Sequence, residues 1–185
     1  IANGSLQALF ANDSKEFETV YTGNAVEPPV KLVFPSSGRE LINGEDYEVT
    51  YENNVSHGSA TVIFTAKGNY EGETTLTFTI SKAELHDSMI GTISDIVFSA
   101  GGNEPEVSVH YNGKTLVKGK DYNVFYENNT GIGTGTAVVE GTGNFEGIVR
   151  RNFRIQSGRL QQNYVEEIDE QEYTGSPIEP EVVLK

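Results

Sequence analysis

The residues with the most evident capacity for chemistry are three carboxylates that occur twice. Asp46, Glu52 and Glu71 return 75 positions later as Asp121, Glu127 and Glu146, and the amides Asn53-Asn54 return as Asn128-Asn129. Clustered side-chain oxygens suit a hard cation, so Asp46, Glu52, Asp121 and Glu127 are the candidate calcium ligands. The competing reading is that Asp and Asn close turns by bonding nearby backbone groups. No DxDxDG-like density of ligands accompanies these acids, and turn closure is the favoured role.

Other chemistries fail on residue type or spacing. The chain has no cysteine, which removes disulfides, thiolate metal sites and thiol nucleophiles. His57, His86 and His110 have no histidine at the equivalent repeat positions; His57 aligns with Ile132 and His86 with Gln161. No HExxH or other zinc pairing results, and no serine lies in a GxSxG setting. The glycines of TGIGTGTAVV (Gly131, Gly133, Gly135) mimic a phosphate-cradling loop, but they open a strand instead of a helix. Paired carboxylates of the glycosidase kind assemble in three dimensions and are not excluded by spacing. The same acids carried twice by two small units argue for structure over a single catalytic cleft. A repeat-encoded Lys–Asn isopeptide bond would need lysine in both copies, yet Lys67 aligns with Thr142 and Lys31 with Ser108.

The elements that must hold these residues follow from the repeat. Residues 41–80 and 116–155 match at 17 of 40 positions without a gap, which defines a tandem repeat. Its fixed points are Asp46, Tyr47, Tyr51, Asn53, Asn54, Gly68, Tyr70 and Gly72 in the first copy. The second copy has Asp121, Tyr122, Tyr126, Asn128, Asn129, Gly143, Phe145 and Gly147. Alternation predicts strands with one buried face: Val30, Leu32 and Phe34; Tyr47, Val49 and Tyr51; Ala60, Val62, Phe64 and Ala66; Leu76, Phe78 and Ile80. Asn53, Asn54 and Gly58 supply a hairpin connection. In the second copy Val107, Val109 and Tyr111 face inward, and Arg151 stands where Leu76 stood, so the last strand is either partly exposed there or snorkels the charge outward. The alternating tyrosines could form a sugar-stacking face, but their period assigns them to the core. The one weakly helical patch is LQALFANDS, with AELHDSMIG as its counterpart.

The opening YTG…EP, at Tyr21, recurs at Tyr173. The expected organisation is therefore the tail of an upstream unit (1–5), complete β units at 6–82 and 83–157, and the start of a third at 158–185. The connector SKAE between Ile80 and Leu85 has no glycine or proline run, which predicts a semi-rigid joint.

The patterns YTGxxxEPxV, LxxGxDYxVxYxNN and GxxxVxxxGxGNYxGxxxxxF resemble a repeat of secreted and wall-attached proteins of Gram-positive gut bacteria, of the MBG or bacterial immunoglobulin-like type. The resemblance spans essentially the whole chain, although FSAGGNEP stands where the second copy should open on YTG. It implies an extracellular all-β module with a spacer or adhesive role and no catalytic chemistry or cofactor.

The expected fold is all-β: tandem small immunoglobulin-like β-sandwich repeats, with β-grasp-like modules as the alternative. Net charge is −14, from 27 Asp+Glu against 13 Lys+Arg. That field repels phosphate backbones and anionic membranes, and no apolar run is long enough to span a bilayer. The expected partners are neighbouring repeats of the same chain, with a glycan or host protein as the alternative. An adhesive unit should carry an exposed aromatic or apolar patch absent from its neighbour; a spacer should show only the shared core pattern.

Overall fold

The computed structural model describes residues 6–34, 36–159 and 165–184. The upstream tail at 1–5 and Gln161, the counterpart of His86, lie outside the described residues.

The chain is all-β. The first unit comprises β1 (Gln7–Phe10), β2 (Glu18–Val20), β3 (Val30–Val33), β4 (Tyr47–Glu52), β5 (Gly58–Ala66) and β6 (Glu73–Ser81). β4, β5 and β6 form an antiparallel meander, and β2 adds to β6 in parallel, giving the order β2-β6-β5-β4. β1 and β3 form a separate antiparallel ladder. The ladder's Ala8, Phe10 and Leu32 meet Tyr47, Ala60, Val62, Phe64, Phe78 and Ile80 of the sheet in one core. The layer facing each sheet is thus narrow.

The second unit comprises β7 (Ala83–Glu84), a 3-10 turn (Asp87–Met89), β8 (Ile96–Val97), β9 (His110–Tyr111) and β10 (Lys114–Thr115). It continues with β11 (Tyr122–Glu127), β12 (Gly133–Gly141), β13 (Phe145–Glu146) and β14 (Ile148–Gln156). Its sheet, β8-β14-β12-β11, repeats the order and the strand directions of the first. Beyond it, residues 165–184 hold a single bridge, Val165 to Leu184.

Inward alternation holds along the meanders: Tyr47, Ala60, Val62, Phe64, Phe78 and Ile80 are buried, as are Tyr122, Ala137, Val139, Phe153 and Ile155. The patch LQALF is the correction. Leu, Gln and Ala are good helix formers, but the preference amounts to only tenths of a kcal/mol per residue, whereas an extended backbone lets residues 7–10 pair with β3 and bury Ala8, Leu9 and Phe10. Tertiary pairing overrides propensity. Its counterpart AELHDSMIG becomes strand β7 followed by the 3-10 turn.

Arg151 does carry its charge outward. Its guanidinium lies 2.6 Å from Asp87 Oδ2 and donates to the Ile90 carbonyl at 3.5 Å. Gly135, of the glycine-rich run, serves packing. A Cβ there would come within 2.5 Å of the Phe153 ring, so glycine makes room for an aromatic that the first unit accommodates over Ala60.

Candidate functional site

The repeated acids are dispersed into turns and edges. Asp46 Oδ2 accepts the Ile42 amide at 2.9 Å, and Asp121 Oδ2 accepts the Val117 amide at 2.9 Å. The carbonyl of each aspartate accepts an amide from the far end of its hairpin, Lys67 or Thr142. Glu52 is exposed at the end of β4, and Glu127 pairs with Arg150 at 3.2 Å. Among the described residues, no three of His, Asp and Glu converge as metal ligands.

The other repeated positions also close turns. Asn53 and Asn128 take positive φ, 55° and 54°, at the start of the β4–β5 and β11–β12 connections, where asparagine tolerates left-handed backbone. Asn54 exchanges bonds with Val26, through its amide Nδ2 at 3.1 Å and its carbonyl. Asn129 accepts from the buried Asn103, which also bonds Ser99 and so holds the FSAGGN loop. Gly68 and Gly143 take positive φ, and a Cβ at Gly143 would lie 2.9 Å from the Lys120 carbonyl oxygen. Gly72 and Gly147 end the same turns.

The tyrosine hydroxyls have structural partners. Tyr51 donates to the Pro28 carbonyl at 2.7 Å, Tyr122 to Val107 at 2.9 Å and Tyr126 to Pro105. Burial pushes the pKa of Tyr47, Tyr51, Tyr122 and Tyr126 above 10.0. Lys31 is held between Asp13 and Glu40, whose hydrogen bonds raise its pKa, and Lys67 pairs with Glu48. An open depression of about 410 Å³ beside Lys15, Thr74 and Thr75 offers no paired carboxylates.

The densest convergence of specific side chains is where the two units meet. Tyr21, from the YTG opening of the first unit, belongs to both cores. It stacks on Tyr111 with ring centroids 6.2 Å apart and meets the edge of Phe145 at 5.4 Å; Tyr111 and Phe145 are themselves 5.2 Å apart. The turn that follows presents a row of acceptors. Tyr111 Oη donates to the Tyr21 carbonyl, Asn112 Nδ2 to Thr22 at 3.1 Å, and Lys114 Nζ to Gly23 at 2.6 Å and to Asn24 Oδ1 at 3.1 Å. The type of hairpin that aims these donors follows from sequence: Asn112-Gly113, at φ 46° and 75°, is the two-residue turn linking β9 and β10.

Two further contacts complete the joint. The His57 amide donates to Asn144 Oδ1 at 2.8 Å, with the imidazole Nδ1 at 3.1 Å from the same oxygen. The connector itself is strand β7, parallel to β13, with the Ala83 and Leu85 amides bonded to Asn144 and Glu146 carbonyls. Sequence reasoning marked Phe145 and the YTG repeat but not their meeting, and it set His57 aside. The available signal was that YTG recurs although it fits no core alternation.

The chain matches no protein-family model and no curated protein sequence. Among the described residues, no helix is long and apolar enough to cross a membrane.

Proposed function

We infer that this chain is a non-enzymatic, structural stretch of an extracellular bacterial surface protein, a spacer that carries other domains away from the cell wall. The observation that carries this reading is the joint: recurrent motif residues are spent on turns and on the contact between units. A spacer must resist bending between its units. Here the connector is hydrogen-bonded into the second unit, and an aromatic of the first reaches both cores. The extracellular, wall-attached setting rests on the motif resemblance, as does the assignment of 6–82 and 83–157 as immunoglobulin-like repeats. The parallel edge strand fits the immunoglobulin-like and β-grasp alternatives alike.

Adhesion is a second reading with an observation of its own. On the outward face of the second sheet, Phe125 is 54% exposed and Ile148 57% exposed. The first unit has Thr50 and Glu73 at those positions. Phe125 lies across from Val138, which lies across from Arg150, so an aromatic, an aliphatic and a cation share one row.

The full chain applied to a glycan array and to immobilised mucin, with and without calcium, separates the two readings. A spacer gives no saturable binding in either condition. Saturable binding abolished by Phe125→Ser would overturn the spacer reading in favour of adhesion.

A further inference from the structure

We propose that the opposite end of the first unit is a docking surface for the Tyr-Thr-Gly turn of another repeat preceding it in the same polypeptide, built from Phe34, Arg39, Asn69 and Tyr70. This rests on the joint reading above and extends it to a surface with no preceding repeat against it among the described residues.

The argument is positional and chemical. In the joint, the second unit grips Tyr21 and its turn with Tyr111, Asn112, Lys114 and Phe145 and holds His57 with Asn144; Tyr111, Lys114, Asn144 and Phe145 are the four with counterparts in the first unit. The repeat alignment places Phe34, Arg39, Asn69 and Tyr70 at those four positions of the first unit. The structure keeps the pairing but not the ring angle, 49° between Phe34 and Tyr70 against 87° between Tyr111 and Phe145. Phe34 and Tyr70 pair with ring centroids 6.0 Å apart, as Tyr111 and Phe145 do at 5.2 Å. Phe34 and Arg39 close a hairpin through Phe34 N to Arg39 O, as Tyr111 and Lys114 do across from one another. Gly38 and Gly113 precede the two cations with φ of 68° and 75°. The hydroxyl has moved from the first aromatic to the second, where Arg39 Nη2 reaches it at 3.4 Å.

Burial differs at two of the four positions: Phe145, against Tyr21, is 1% exposed where Tyr70 is half-buried, and Asn144 is half-buried where Asn69 is exposed. Tyr111 and Phe34 are both half-buried, and Lys114 and Arg39 are both exposed. An aromatic ring laid on the Phe34–Tyr70 pair would bury this remaining apolar area. The carbonyl row behind it would offer Arg39 the acceptors that Gly23 and Asn24 offer Lys114. The occupant is thus specified: an aromatic residue followed by a turn with outward carbonyls. The chain itself contains such a segment in Tyr173-Thr174-Gly175, with Tyr173 91% exposed. A second copy of the chain is therefore the rival occupant to be distinguished.

The test uses the whole chain extended by an extra copy of residues 6–79 ahead of Ile1, so that Ile1 takes the place of Ile80. With no native cysteine, an engineered pair is unique. Asn24→Cys in the added copy and Arg39→Cys in the original are bridged with a short bismaleimide. The reference is Asn24→Cys with Lys114→Cys in the unextended chain; the baseline pairs Asn24→Cys of the added copy with Thr50→Cys of the original. The proposal expects cross-linking at about the reference rate and about tenfold or more above baseline, since docking raises the local concentration of the pair. It also expects Tyr70→Ala to return the rate to baseline. Baseline cross-linking beside a fast reference would overturn the docking surface and leave the observed joint intact. A slow reference would overturn both. Cross-linking that forms dimers in proportion to chain concentration would overturn the tethered repeat in favour of a second copy.

Discussion

At the residue scale, the repeated aspartates have short, local duties. Each accepts an amide four residues upstream, and a satisfied turn acceptor contributes about 1 kcal/mol. Asp46→Ala and Asp121→Ala should each lower unfolding free energy by about that amount, measured by urea titration. The melting temperature of the parent chain should be the same in calcium and in chelator. A calcium-dependent rise that either substitution removes would restore the metal reading. Gly135→Ala is a second expectation at this scale: the added methyl meets the Phe153 ring, and overpacking of that kind costs about 1–3 kcal/mol. An Ala variant as stable as the parent would show that Phe153 can shift aside. The aspartates' positions were legible in the sequence because their partners are close in the chain. Glu127 was not, because Arg150 lies 23 positions away.

At the element scale, the meander strands could be read by eye because one face of each is buried and alternation records it. The short parallel edges β2 and β8 could not. Three and two residues carry no period, and their place beside β6 and β14 is set by long-range pairing. β1 was misread for a related reason: its helix-tolerant residues are extended by β3, a partner some twenty positions distant. The segments leading into β3 and β9 are tied to the sheets by tyrosine hydroxyls, Tyr51 on Pro28 and Tyr122 and Tyr126 on Val107 and Pro105, which gives the elements a pH signature. Burial raises the pKa of Tyr47, Tyr51, Tyr122 and Tyr126 from 10.0. Above pH 10 the unfolded chain therefore holds fewer tyrosine protons than the native one, so stability falls as pH rises. The contribution is fully present below pH 10 and lost as pH climbs through the raised native values. Urea midpoints should be level from pH 8 to about 9.5 and decline above 10. Tyr51→Phe with Tyr126→Phe should flatten the decline while lowering the neutral-pH midpoint, because the Pro28 and Pro105 carbonyls lose their donors.

At the scale of the whole molecule, the question is whether two small units behave as one body. Each unit has a modest core facing a narrow ladder, so mutual support matters more than it would in a larger domain. The joint joins residues 90 positions apart, and no local period could announce it. Its parts were visible only as recurrences without a core role. Their energetic connection is measurable by a double-mutant cycle on Tyr21→Ala and Tyr111→Ala, read from the unfolding of the first unit. Stacked rings of this kind couple by about 0.5–1.5 kcal/mol beyond the area they bury. Coupling in that range would mean that unfolding one unit weakens the other, the behaviour of a solenoid-like array whose stability is shared between neighbours. The Ala83 and Leu85 amides report on the joint independently, since they tie the connector to the Asn144 and Glu146 carbonyls on either side of Phe145, the ring that Tyr21 meets. Their hydrogen exchange should accelerate in Tyr21→Ala while that of the Thr134 and Thr136 amides, in the second sheet, stays unchanged. Zero coupling with unchanged exchange would mean that the units merely touch and that the chain bends freely at Lys82, which would remove the observation on which the proposed spacer role rests.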